Sequence, residues 1–516
     1  MLFLNKYGRI RRQSGTVIAI LVLSLFFCCA AWAQQDQSVP SAAPPAPQAT
    51  SESSIGENPP ISAIDEPSLE PHSAPESFLL PGLHFSESIE SNASNTPGGS
   101  GVAPVTRALG SLTLQKLWKT DSLAMDYIGG VSDYDQTGIG VQQLEQLDID
   151  NRINWKRGQL AIRDSFSYLP EGTFGFGAYG GGGAYDAGFG NLGAGLLGAS
   201  AFGGQSNAFT GGNGLGVSLG VVPRITNLGL IDVVEDLTPK SSVTFMAGYG
   251  LVHFYGSLVE QDTLAGPVQQ NVNFIGSSEY IAQVAYDRML NPRDQVAISY
   301  GYQDFNFSTA GTSFHTQVVQ LMYGHRISGR MDFLISAGPQ ITGINQQECD
   351  IPTIPVTSCT RFGGAVSTIG VSKVGAAGRA SLRYRFPKTS LGLSYQRYDT
   401  TGSGIFAGAE TDIVQFDMAR PLSRVWDLFA NAGYSRNSEL QVPGAVVTAT
   451  SFDYGYAGIG VHRQLGRRLR AFLSYQFNDL GFSGGCTLGA LSCANTAQRH
   501  IGSFGLDWTP RPIRLD

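Results

Sequence analysis

Eight times between residue 119 and residue 468, a stretch of alternating apolar and polar residues runs into a tight turn carrying Lys or Arg, and a second alternating stretch leads away. The turns are Lys119-Thr-Asp121, Lys156-Arg-Gly158, Thr238-Pro-Lys-Ser241, Asn291-Pro-Arg-Asp294, Ile327-Ser-Gly-Arg330, Pro387-Lys-Thr-Ser390, Pro421-Leu-Ser-Arg424 and Leu465-Gly-Arg-Arg468. Successive side chains of a strand point to opposite faces, so each stretch presents one apolar and one polar face. Gln146, Asp148, Asp150, Arg152, Asn154 and Lys156 alternate with Leu147, Ile149, Asn151, Ile153 and Trp155. Arg379, Ser381, Arg383 and Arg385 alternate with Ala380, Leu382, Tyr384 and Phe386, and Arg470, Phe472, Ser474, Gln476 and Asn478 with Leu469, Ala471, Leu473, Tyr475 and Phe477. Hairpins with short turns at one end and longer polar connections at the other predict an all-β, antiparallel up-and-down barrel. Soluble sandwich strands run nearer five or six residues, whereas a tilted strand needs about ten to cross a bilayer. The aromatic residues near the strand ends fit an interfacial girdle.

Targeting decides which membrane. Residues 1–33 have a basic start (Lys6, Arg9, Arg11, Arg12), an apolar run from Thr16 to Ala30, and Ala31-Trp32-Ala33 before Gln34, which reads as a cleaved secretory signal. Its loss takes the formal charge from -7 to -11, since it carries four basic residues and no acid, and excludes a strongly basic nucleic-acid footprint. No later apolar run reaches about 18 residues, so helical spans are excluded and spanning falls to strands in the outer membrane. Residues 34–75 hold nine prolines and six acids with no Lys or Arg, a composition that builds no core and predicts a disordered periplasmic linker.

Seventeen strands are read between residues 105 and 508, among them 331–340 and 374–386. With the basic turns periplasmic, the first of them runs downward, so an earlier upward strand is required. Ser77 to Ile89 supplies it, its Pro81 tolerable near a strand start. Eighteen strands over 77–508 follow, an even number as bacterial single-chain barrels require; sixteen follow if 224–255 is parsed otherwise. Residues 509–516 form a C-terminal tail. The mature cysteines fall in two close pairs inside long connections, Cys349 with Cys359 and Cys486 with Cys493. In an oxidising compartment these are candidate disulfides, and the His or CxxC spacing of a metal site is missing.

Signal, hairpin array, basic turns, long loops and a final strand with Gly502, Phe504, Leu506 and Trp508 together resemble an outer-membrane β-barrel of the porin type. The resemblance implies a channel, insertion by the barrel-assembly machinery through the last strand, and contact with outer-membrane lipid and other copies of the chain. Residues 509–516 continue past the terminal aromatic where porin-type chains commonly stop. The longest connection, Leu169 to Pro223, opens Pro170-Glu171-Gly172-Thr173-Phe174-Gly175, similar to the constriction loop of general porins. Its glycine-rich sequence also suits an external loop, so both placements stand.

Two functions remain open: a passive channel for small hydrophilic solutes or ions, or a structural or surface-interaction barrel whose lumen its loops fill. An eighteen-strand circumference is too wide for wall side chains alone to fill, which favours the channel. Asp148, Asp150 and Arg152 on the fourth strand, Arg163 on the fifth, Arg379 and Arg383 on the twelfth and Arg470 near the end are candidate pore-lining residues. Acids and arginines eight strands apart would set a transverse field, unless Arg152 simply pairs with Asp148 or Asp150. The seven histidines are dispersed along the chain, so no enzyme, cofactor, metal or nucleic-acid partner is expected.

Overall fold

The structure, a computed structural model, describes residues 77–93, 101–134, 140–169, 223–255, 258–263, 266–271, 276–307, 311–350, 363–386, 388–400, 406–440, 451–483, 487–488, 491–492 and 496–515, all within one unit of the chain, Ser51–Asp516. The expected signal and linker, the loop 170–222, and Cys359, Cys486 and Cys493 with both disulfide pairings lie outside the described residues.

Eighteen strands close into one antiparallel barrel. In chain order they are β1 (Phe78–Ser91), β2 (Val102–Leu117), β3 (Asp121–Tyr134), β4 (Gly140–Trp155), β5 (Gly158–Leu169), β6 (Arg224–Thr238), β7 (Ser241–Phe254), β8 (Ser277–Asn291) and β9 (Asp294–Phe307). The second half comprises β10 (Thr312–Ser328), β11 (Met331–Cys349), β12 (Val366–Phe386), β13 (Thr389–Thr400), β14 (Ala409–Pro421), β15 (Trp426–Glu439), β16 (Ser451–Gln464), β17 (Leu469–Ser483) and β18 (Thr496–Trp508). Each strand pairs with the next, and β18 returns to β1 over Leu83↔Trp508 to Glu90↔Ile501. All eight basic turns connect consecutive strands at one end. Closure satisfies the backbone of every central strand, the condition for crossing lipid.

Alternation in burial follows the alternation in sequence. Along β18 Ala497, Arg499, Ile501, Ser503 and Asp507 are buried, while Phe504, Leu506 and Trp508 stand exposed on the outer face. Leu83, Phe85 and Ile89 of β1, Ile153 and Trp155 of β4, Leu321 of β10 and Leu473 of β17 continue an outward apolar belt. Trp118, Trp155, Phe386 and Trp508 rim it near the basic turns. Toward the opposite end Tyr395 donates to Asp412 at 2.7 Å and Tyr434 to Asp453 at 2.9 Å, which marks where outward side chains become polar. An apolar belt between two aromatic rims is the lipid-facing surface of a membrane-spanning β-barrel.

Three features extend the sequence reading. Strands β11 and β12 pair from Met331↔Tyr384 to Cys349↔Val366, past the expected ends at 340 and 374, and Cys349 therefore closes a strand rather than sitting in a loop. Beyond the lipid belt the outer face need not be apolar, so alternation fades from the sequence while backbone pairing continues. Strand β13 follows β12 only as far as Gly378↔Arg397. Above that row the inner side of β12 lies over β14, with Lys373 Nζ 3.2 Å from Glu410, while Asp399 of β13 accepts from Thr316 of β10 at 3.0 Å and Thr342 of β11 at 2.5 Å. Finally, the tail does not hang free: Ile513 and Arg514 pair with Leu79 and Phe78. Pro81 falls between that patch and Leu83, the first β1 residue paired to β18, where the seam requires no ladder bond.

Candidate functional site

The inner wall is where the chain concentrates its polar groups, because every residue opposite a lipid-facing neighbour turns inward. Asp148, Asp150 and Arg152 lie inward on β4 and Arg163 inward on β5, while Arg379 holds an inward position on β12. The backbone of Arg383 pairs with that of Asp332 of β11. Strands β4 and β12 stand eight apart in the ring of eighteen.

Register sorts these charges. Asp150 sits opposite Arg163 across the β4–β5 ladder. Its carboxylate meets Arg152 at 2.9 Å and Arg163 at 3.9 Å, and Arg163 also reaches Asp232 of β6 at 3.2 Å. Two carboxylates and two guanidinium groups thus compensate one another. Asp148, two residues away on the same face, sits opposite Asp126 of β3. The pair continues on both sides as Thr113↔Asp126 and Asp148↔Ser165, a row of four oxygen-bearing side chains on four adjacent strands. Thr113 bonds Asp126 and Ser165 bonds Asp148. Asp148 is 4% exposed, and its Oδ1 has no hydrogen-bond partner. Among the described residues neither carboxylate of this row forms an ion pair, and no cluster of three or more His, Cys, Asp or Glu suited to a metal occurs.

Arg470 belongs elsewhere. It lies on β17 against Asp507 of β18 at 3.3 Å, in a network that holds the closing seam. The other oxygen of Asp507 meets His84 Nδ1 at 3.0 Å, and His84 Nε2 meets Ser111 Oγ at 2.8 Å. Gly82 leaves room for this contact, since a Cβ there would collide with Ser111 Oγ. A second seam network lies higher: Glu90, fully buried, meets Arg107 of β2 at 2.8 Å and also Arg499 of β18, with Ser88 Oγ donating to Glu90 at 2.6 Å. The sequence reading found neither network. It treated the histidines as dispersed, whereas closure brings together residues 27 and 423 positions from His84.

The inner face is closely tiled. Glu279, Gln303 and Thr316 are at most 1% exposed, and Gln303 donates to Glu279 at 3.0 Å. Apolar clusters interrupt it, and among the described residues the two largest lie on β6–β8 and on β9–β11. Leu228, Leu230, Met246, Val252 and Ile281 cluster on β6–β8. Phe305, Phe307, Phe314 and Ile344 of β9–β11 pack with Leu440, which follows β15 at the long-loop end.

No protein-family model matches the chain, and no curated protein matches it. Among solved structures it is similar to the ferric-catecholate import receptor Fiu from E. coli K12, at 8% sequence identity over 83% of this chain and 81% of that chain, with a TM-score of 0.40. It is also similar to OpdK from Pseudomonas aeruginosa with vanillate, at 8% identity over 84% and 98% of the two chains and a TM-score of 0.36. The likeness to OccAB3 from Acinetobacter baumannii is 7% identity over 85% and 99%, with a TM-score of 0.36. Likeness at this level carries no assignment of cargo.

Proposed function

We propose that the chain is an outer-membrane, porin-like channel for passive diffusion of small hydrophilic solutes or ions, with the basic turns and linker 34–75 in the periplasm. The supporting observation is a closed ring of eighteen strands whose outer face is apolar and whose inner face carries Asp126, Asp148, Asp150, Arg163, Asp232 and Arg379. A ring of that size is too wide for wall side chains alone to fill, and a polar wall supplies the hydrogen bonds that a solute gives up on leaving bulk water. Lipid, the barrel-assembly machinery and further copies of the chain are its proposed partners, and the disulfides Cys349–Cys359 and Cys486–Cys493 belong to the same reading.

The loop-filled, structural barrel is the second reading, favoured by the near-complete burial of inward groups such as Gln303 and Thr316. Purified protein in a planar bilayer separates the two. The channel reading expects discrete conductance steps that scale with salt concentration. A folded, inserted barrel passing no current would establish the structural reading instead.

A further inference from the structure

We propose that Ser111, His84 and Asp507 form a nucleophile–base–acid relay that gives the barrel acyl-ester hydrolase activity at its inner wall. The proposal rests on the closed seam and goes beyond the channel reading.

Three adjacent strands assemble the relay by register. Ser111 of β2 lies opposite Gly82 of β1, and two residues along the same face His84 lies opposite Asp507 of β18. Side-chain geometry follows: Ser111 Oγ is 2.8 Å from His84 Nε2, and His84 Nδ1 is 3.0 Å from Asp507 Oδ1. Both distances fall within the reach expected of a serine and its base, and of a base and its orienting acid. A carboxylate at Nδ1 fixes the tautomer, because Nδ1–H donates to Asp507 and leaves Nε2 to accept the Ser111 proton. Exposure is graded in the required sense: His84 and Asp507 are buried, while Ser111 is only half-buried and faces inward. Arg470 holds the second oxygen of Asp507 at 3.3 Å and keeps the acid in place.

In the reaction, Ser111 Oγ bonds to the carbonyl carbon of an ester as its proton passes to His84 Nε2. The carbon–alkoxy bond breaks, and the leaving alcohol takes that proton. Water, deprotonated by the same nitrogen, then attacks the acyl-serine, releasing a carboxylic acid and restoring Ser111. Backbone amides around Ser111 are committed to strand pairing, so reactive, short-chain acyl esters small enough to enter the lumen are the substrate class.

The test uses the full chain folded into detergent, treated with a fluorophosphonate probe and, separately, with p-nitrophenyl acetate. Mass spectrometry should place the phosphonate on Ser111. Ser111→Ala should abolish that adduct, and His84→Gln should slow both reactions by about 100-fold or more, within the range general-base assistance supplies. Lack of a Ser111 adduct on folded wild-type protein overturns the proposal, as does equal labelling of His84→Gln. Should His84→Gln not fold, the wild-type labelling rate between pH 5 and 8 decides. A rise following deprotonation of one group supports the relay, and a flat profile overturns it. Labelling is read without conduction, so its failure leaves the channel reading untouched.

Discussion

Glu90 of β1 meets arginines of the strands on both sides, Arg107 of β2 and Arg499 of β18, and Glu90→Gln should therefore be the most costly single change in the seam. Glu90 is 0% exposed, and Arg107 and Arg499 are each 1% exposed, so the interaction lies out of water. Removing one partner of a buried, hydrogen-bonded pair costs about 3–5 kcal/mol, because the remaining charge stays desolvated. Glutamine keeps the shape and the bond from Ser88 but withdraws the charge from two guanidinium groups at once. The loss should therefore fall in that range rather than in the roughly 0–1 kcal/mol of an exposed pair. At about 4 kcal/mol, unfolding becomes about a thousandfold more favourable. Urea unfolding of the refolded barrel, followed by the heat-modifiable gel shift and tryptophan emission, reads this directly. Adding Arg499→Gln to Glu90→Gln should cost less than the two single losses summed, a non-additivity that a double-mutant cycle isolates. A loss below about 1 kcal/mol for Glu90→Gln would refute the argument, since the seam would then owe its closure to backbone pairing alone.

Other outcomes are accessible with the same preparation. A cysteine placed at Ser328, in a basic turn, should resist an impermeant thiol reagent on sealed cells and react after lysis; labelling of intact cells would invert the topology. Non-reducing peptide mapping should join Cys349 to Cys359 and Cys486 to Cys493, and four free thiols would exclude both disulfides. Deleting residues 509–516 removes the pairing of Ile513 and Arg514 with β1 and should lower stability by about 1–2 kcal/mol, at about 0.5–1.5 kcal/mol per hydrogen bond; an unchanged urea midpoint would make the tail dispensable. In a salt gradient, Arg379→Gln with Arg383→Gln should move the reversal potential toward cations, and the shift should shrink near 1 M salt as the Debye length falls to about 3 Å.

Strand positions were legible in the sequence because lipid imposes a rule on every second residue. Leu147, Ile149 and Ile153 had to be apolar, and the turns at Lys119, Lys240 and Arg293 had to be short and polar, so β3 through β9 appear close to their expected limits. The rule lapses where lipid ends. That is why Ile341 to Cys349 and Val366 to Lys373 looked like loop yet extend β11 and β12, and why the separation of β12 from β13 above Gly378 left no trace. Cross-strand partners were less legible still. Alternation names the face of a residue but not its height, which is fixed by turn geometry and by irregularities such as those between Asp236 and Thr238 or Met289 and Asn291. His84 illustrates the limit: its partners Ser111 and Asp507 belong to the strands on either side of β1, and only closure makes all three neighbours.

Asp148 and Asp150 make the same point with a functional consequence. Two residues apart on one face, they are equivalent to any reading of alternation, and both were expected to contribute to an acidic wall facing Arg379 and Arg383. Register separates them, since Asp150 faces Arg163 and bonds Arg152, whereas Asp148 faces Asp126 with hydroxyls of Thr113 and Ser165 beyond. A carboxylate inside a balanced set of two acids and two arginines adds little field at a distance. One beside a second carboxylate, with no ion pair among the described residues, has no arginine to offset whatever charge it carries. On the proposed channel reading, the transverse field originates at the Asp126–Asp148 row. Asp148→Asn alone should move the reversal potential toward anions by several times the shift from Asp150→Asn. Asp126→Asn should match Asp148→Asn, because the two occupy the same row. Equal shifts from Asp148→Asn and Asp150→Asn would mean that the arginines do not screen Asp150 in the working channel, and the register argument would fail.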